Sequence, residues 1–273
     1  MTACIISFGI VVTMLIALKY VGGLPTPGQV SLLSLDDKFL YSGWSMAVMA
    51  LLTLVEWNAL ALDTRDASIL GPLPIEAGVI FKAKAAALAM FAGGCILVLN
   101  VVPAVIFSAA MVSTPLVVVG LRAFLTLLAV HVSTAMAAGA MGFLAVLAIR
   151  EVMHALLGTS LFERISTLLQ AALVVCVVLF LCLLPGMSNR VGRAGLAPDR
   201  ATYLMPPLWF VGLYEVGAGH IVDDLARTAL PRRLVSIDRE ATQLYRSRKT
   251  ELKRLADIGL AALLLAAVTA SAA

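Results

Sequence analysis

Three residues carry polar chemistry inside apolar stretches of this 273-residue sequence: Glu56, Asn100 and His131. A carboxylate or an imidazole in an apolar setting can move protons, hold a cation or line a polar path. Burying such a group in lipid is costly enough to mark a site. Each residue also has a plainer reading. Glu56 stands beside Trp57 and Asn58, which suits the aromatic belt at a membrane surface. His131 suits a helix–helix hydrogen bond. Asn100, three residues before Pro103, suits a bond to a neighbouring helix or to backbone freed by the proline. His154 and His220 fall in connections. Glu56, His131 and a second acid meeting in one water-filled cavity would imply an intramembrane enzyme. The sequence has no GxxxxGK[ST] phosphate loop, no HExxH, no GxSxG and no GxGxxG at a strand–helix junction. Nucleotide hydrolysis on this chain is therefore not expected. Cys4, Cys95, Cys176 and Cys182 all sit in apolar runs and read as small buried hydrophobes, not metal ligands. No catalytic residue, metal or cofactor is predicted.

The elements that hold these residues follow from composition. Hydrophobic residues make up 61% of the chain and charged ones 13%, with a mean hydropathy of +1.00. A soluble domain has about 45–50% apolar and about 25% charged residues. Polar residues here are too few to cover a globular surface, so lipid must cover part of it. A spanning helix needs roughly 20 mostly apolar residues, and in lipid each span must be helical to satisfy its own backbone. The expected fold is an all-α, polytopic transmembrane helix bundle. It forms a single transmembrane domain over 1–273 with about six spans: 3–21, 40–62, 84–108, 127–149, 167–186 and a marginal 256–273. Residues 3–21 lack a basic start and a clean cleavage site, which reads as a retained span and not a cleaved signal.

The connections differ in character. Residues 22–39 form a loop with Pro25, Pro27, Asp36, Asp37 and Lys38. Residues 109–126 suit a helix lying at the interface, and 150–166 are amphipathic. Residues 187–255 form a long polar and basic loop. Twelve of the twenty Lys and Arg lie between Arg190 and Arg254, which in a membrane protein bears on orientation. No basic folded domain for nucleic acid is present. With the N-terminus inside, the 63–83 and 150–166 loops are cytoplasmic, carrying Arg65, Lys82, Arg150 and Arg164. Two readings of 203–222 stay open. It is either an external cap with a re-entrant 203–220, or an extra crossing that returns 223–255 to the cytoplasm. The small residues Gly93-Gly94 and Ala135 to Gly142 are either close-approach surfaces for neighbouring helices or lipid-facing filler.

The segment from Glu56 to Lys84 is the most informative. It leaves a span with charges of both signs, Asp63, Arg65 and Asp66. It breaks at Gly71-Pro72-Leu73-Pro74 and resumes with Ile75 and Lys82. Pro74 suits the first turn of a short helix, which could dock in a groove on a partner.

These residues carry a resemblance. Glu56-Trp57-Asn58-Ala59-Leu60, Asp63-Thr64-Arg65-Asp66, Leu70 to Ile75 and Ala83-Lys84 follow, in order, a pattern of the form EWDALFPDRRD, then LGPLPV, then AK. Stretches 131–147, 162–170 and 206–215 are similar too. The pattern resembles that of bacterial type-2 ABC exporter permeases, over most of residues 37–219. The resemblance implies a shortened membrane subunit in the bacterial inner (plasma) membrane, without catalysis of its own. It would be paired as a homodimer or with another permease half. The loop 63–83 would couple it to a separate ABC ATPase through Asp63, Arg65, Asp66, Gly71, Pro72, Leu73, Pro74, Ile75 and Lys82. The 187–220 region would cap the outer gate. Asn58, Leu62, Thr64 and Glu76-Ala77 depart from the pattern. The rival expectation is a non-transporting membrane scaffold or assembly factor that recruits partners through the basic segment 223–255.

Overall fold

The structure is a computed structural model that describes residues 13, 14, 16, 18, 34–57, 77–112, 121–194, 204–228, 253–266 and 268. Among them the regular structure is helical, with no strand. Helix α1 spans Leu35–Val55, α2 Ala77–Val112, α3 Leu121–Ala194 and α4 Pro206–Thr228. Residues 253–266 are helical too.

Helix α1 begins after Ser34, whose carbonyl accepts from the Lys38 N–H at 2.9 Å. Asp36 and Asp37 in its first turn match the positive end of the helix dipole. At 21 residues it is about 30 Å long, the thickness of a bilayer's hydrocarbon core. It ends at Glu56, whose N–H reaches back to the Leu52 carbonyl at 3.1 Å. Helix α2 holds Pro103 within it and presents Met90, Leu97, Val98 and Val101 outward.

Helix α3 cannot be one straight rod in a membrane. Its 74 residues would reach about 110 Å, well over three times the hydrocarbon thickness. The chain turns at Gly158, where φ is 69° and ψ is 165°, a region that glycine alone adopts readily. His154 and Phe162 stack their rings edge to face at 5.1 Å across this turn. On a straight helix they would be roughly 12 Å apart along the axis. The contacts with α1 give the direction of each arm. On the first arm, His131 meets Tyr41, the Ala135 carbonyl accepts from Ser45 at 3.0 Å, and Val146 packs by Ala50 and Leu54. Numbers rise together, so this arm runs parallel to α1. On the second arm, Ser166 accepts from Trp57 Nε1 at 3.0 Å, Gln170 donates to the Leu54 carbonyl at 2.7 Å, and Ser188 donates to the Asp36 carbonyl at 2.6 Å. Numbers run oppositely, so α3 is a helical hairpin that clasps α1 between its arms. Gly158→Ala is expected to destabilise the fold by about 1–3 kcal/mol, measured by thermal unfolding in micelles. Gly186→Ala, where a new methyl meets nothing within 4 Å, is the control and should cost nothing.

Helix α2 lies antiparallel to α1: Phe107 faces Tyr41 at 5.1 Å, Asn100 bonds Ser45, and Ile96 packs by Val48 and Met49. The end of α1, the start of α2 and the α3 turn therefore share one end of the bundle. Helix α4 sits at the other end. Its Leu208 and Val211 join Leu35, Phe39, Leu184, Val191 and Leu255 in one cluster.

Several expectations are corrected. Six separate spans are not supported. Three helices among the described residues are long and apolar enough to cross a membrane: Leu35–Val55, Gly78–Met111 and Leu121–Val191. The expected spans 127–149 and 167–186 are the two arms of α3, joined by helical turns where a surface connection was expected. Most of 3–21 and the end of 256–273 lie outside the described residues. The interfacial helix over 109–126 is not formed: 109–112 finish α2, 121–126 open α3, and 113–120 are outside the description. Residues 187–194 extend the second arm and are not loop. Residues 77–83, expected within the coupling loop, are the first turns of α2.

A buried polar centre between α1, α3 and α4

Lys38 stands in the first turn of α1 and Glu215 midway along α4. Their side chains form an ion pair and are 2% and 1% exposed. This pair was missed from sequence. Lys38 read as part of the 22–39 loop, and Glu215 fell in the stretch 203–222, open between a cap and an extra crossing. One signal was present: Glu215 is a charge inside an apolar run, and a buried charge of this kind calls for an opposite charge close by.

The α4 helix brings Tyr214 with Glu215. Tyr214 packs edge-on to His131 at 5.9 Å, and the Lys38 ammonium lies 4.7 Å from the Tyr214 ring centre. Tyr41 from α1 and Phe107 from α2 complete the enclosure, at 5.2 and 5.3 Å from the His131 ring. His131 is thus ringed by three aromatic side chains from three helices and is 3% exposed. Neither of its ring nitrogens has a hydrogen-bond partner, and neither do Thr134 Oγ1 and Tyr214 OH. Buried polar groups are nearly always bonded to protein or to ordered water. A chamber of about 10 Å³ lies beside them, lined by Lys38, Tyr41, Ser42, His131, Thr134 and Tyr214, near the lower limit for one water molecule.

Of the residues expected to act inside the spans, the structure brings His131 to this centre and places the others elsewhere. Asn100 lies on the α1–α2 contact. Its amide donates to Ser45 Oγ at 3.1 Å and to the Ile96 carbonyl at 2.8 Å, which fits a helix-packing role. Glu56 is exposed at the end of α1, fifteen residues and so roughly 22 Å along the axis from Tyr41 and His131. Glu56 and His131 therefore share no cavity, and the cluster required for an intramembrane enzyme is not formed. The acid at the His131 centre is Glu215.

The opposite end of the bundle has its own polar contacts. Trp57 is buried, bonded to Ser166, and covered by the Arg150 guanidinium 5.8 Å from its ring centre. Arg150 also pairs with Glu151. Of the expected coupling residues, Lys82 is exposed on the first turns of α2, at this same end. Asp63, Arg65, Asp66, Gly71, Pro72, Leu73, Pro74 and Ile75 lie outside the described residues, as does most of the basic segment 223–255. Among the described residues no group of three or more His, Cys, Asp or Glu is placed to hold a metal.

Comparison of the chain with protein families, with characterised proteins and with solved structures finds no match.

Proposed function

We propose that the chain is the membrane subunit of an ABC-type exporter in the bacterial inner membrane, moving substrate without catalysis of its own. The observation that carries this reading is the buried Lys38–Glu215 pair with its polar chamber, where α4 packs on one end of helices of membrane-spanning length and apolarity. Ionisable side chains buried against such helices are costly and are candidate parts of a transport path. In this reading each arm of α3 crosses the membrane once, alongside α1 and α2. The end of the bundle that holds the α3 turn, Lys82 and the α1–α2 connection faces the cytoplasm. The ABC ATPase docks there on residues 63–83, and α4 caps the outer end. The ordered motif matches over residues 37–219 support the same assignment, with the chain working as a homodimer or beside another permease half.

The test is to co-express the tagged chain with each ABC ATPase subunit from the same genome. One of them should co-purify, and its hydrolysis rate should change on binding. Substituting Asp63, Arg65 and Asp66 together by alanine should remove both effects while leaving the chain in the membrane. Recovery of no ATPase, with an unchanged rate, sinks the proposal.

A further inference from the structure

We propose that His131 is a proton-binding site, and that its protonation releases α4 from α1 by displacing Lys38 from Glu215. The inference deepens the reading of the polar centre and rests on that reading only for the membrane setting.

The geometry supplies each part. His131 is buried with both ring nitrogens unpartnered, so the neutral ring has a free lone pair to accept a proton. It lines the same chamber as Lys38, Thr134 and Tyr214, and that chamber has room for about one water, the carrier by which a proton would arrive. Hydronium gives its proton to the ring nitrogen and leaves as water, and no other bond changes. Three aromatic rings surround the imidazole and shield it from other polar groups.

The charged and titratable groups that face His131 come from two helices. Helix α1 presents Lys38 and Tyr41, with Asp37 beside Tyr41. Helix α4 presents Tyr214 and Glu215. Helix α2 presents Phe107, which does not titrate. Lys38 is the group whose charge acts on His131. A second cation formed next to it repels the ammonium, and in a low-dielectric interior that repulsion is strong. Lys38 also pairs with Glu215 from α4, so moving it breaks the ionic tie between the two helices and leaves the apolar cluster around Leu35, Phe39, Leu208 and Val211 to hold them. Acid is therefore expected to loosen α4, and neutral pH to seal it.

Fluorine NMR on the full chain in nanodiscs, with no ATPase present, tests this separately from the exporter reading. The three tryptophans, carried as 5-fluorotryptophan, report on different places. Trp209 on α4 and Trp44 on α1 flank the cluster that joins these helices, and Trp57 lies at the far end of the bundle. Between about pH 8 and about pH 2.5, a window that reaches well below the range over which histidines ordinarily titrate in proteins, Trp209 and Trp44 should shift together in one sigmoidal step while Trp57 stays fixed. His131→Gln should abolish the step. An unchanged step in that variant would assign it to Glu215 or another group and overturn the proposal, as would a flat response in the natural chain. If His131→Gln fails to fold, the ¹³Cε1 signal of His131 in the natural chain decides, assigned by His154→Gln and His220→Gln. It must titrate at the same midpoint as Trp209, and a signal constant through that midpoint overturns the proposal.

Discussion

Removing one partner of the Lys38–Glu215 pair is expected to destabilise the chain by about 3–5 kcal/mol, because the remaining buried charge loses this counter-charge. The side chains are 2% and 1% exposed, so water cannot take over the role of the lost partner. Such a loss approaches the entire stability of many domains, about 5–15 kcal/mol. Lys38→Met and Glu215→Leu should both lower the yield of folded protein and move the unfolding midpoint in micelles sharply down. The double variant tells more. Met and Leu fill similar space without charge, and replacing both members of a buried pair is often close to neutral. Lys38→Met with Glu215→Leu should recover most of the loss seen in either single variant. A double variant that loses the sum of the two single losses would mean that the charges act independently. The same double variant should lose the acid response at Trp209, since it has no ion pair to break.

The second large effect is expected at Gly142. A methyl group there would fall on the Met46 backbone carbonyl of α1, and a backbone atom cannot swing aside as a side chain can. The first arm of α3 would have to withdraw from α1. Gly142→Ala should therefore cost about 1–3 kcal/mol or more, the range for overpacking a filled interior, and Gly142→Leu should prevent the hairpin from clasping α1. Gly94→Ala makes the contrast. Nothing lies within 4 Å of the added methyl, and alanine favours a helix interior over glycine by about 0.5–1 kcal/mol. Thermal unfolding in micelles should move in opposite directions for the two substitutions. Movement in the same direction would contradict the α1–α3 packing described above.

These two glycines show where sequence reading stops. Gly93-Gly94 and Ala135 to Gly142 are both small-residue stretches in apolar helices, and both suited either close approach or lipid-facing filler. The structure divides them. Gly139 and Gly142 lie against Ile96, Ser45 and Met46, whereas Gly94 meets nothing. The choice depends on the rotational phase of each helix against its neighbour, which a run of small residues does not encode.

Helix boundaries met a similar limit. The break between 127–149 and 167–186 was legible as an amphipathic stretch, 150–166. Its form was not. Hydropathy falls there because the hairpin tip extends past the end of α1, yet backbone hydrogen bonding continues through all but the turn at Gly158. Apolar run length measures exposure to lipid, and helices do not end where exposure to lipid ends.

The sequence by itself pointed to helices long and apolar enough to cross a membrane. Partition into a bilayer is nearly additive along the chain, so 61% hydrophobic residues in long runs suffice for helices that span a membrane. It also singled out His131 as a rare imidazole in an apolar run. Only the tertiary structure decided what His131 meets. Lys38 and Glu215 are 177 residues apart in sequence, and their pairing requires α4 to lie across the start of α1 with one particular face inward. That arrangement follows from the packing of Leu35, Phe39, Leu208 and Val211 in three dimensions. Contacts between distant helices depend on phase, crossing and register together, and no local property of either segment fixes all three.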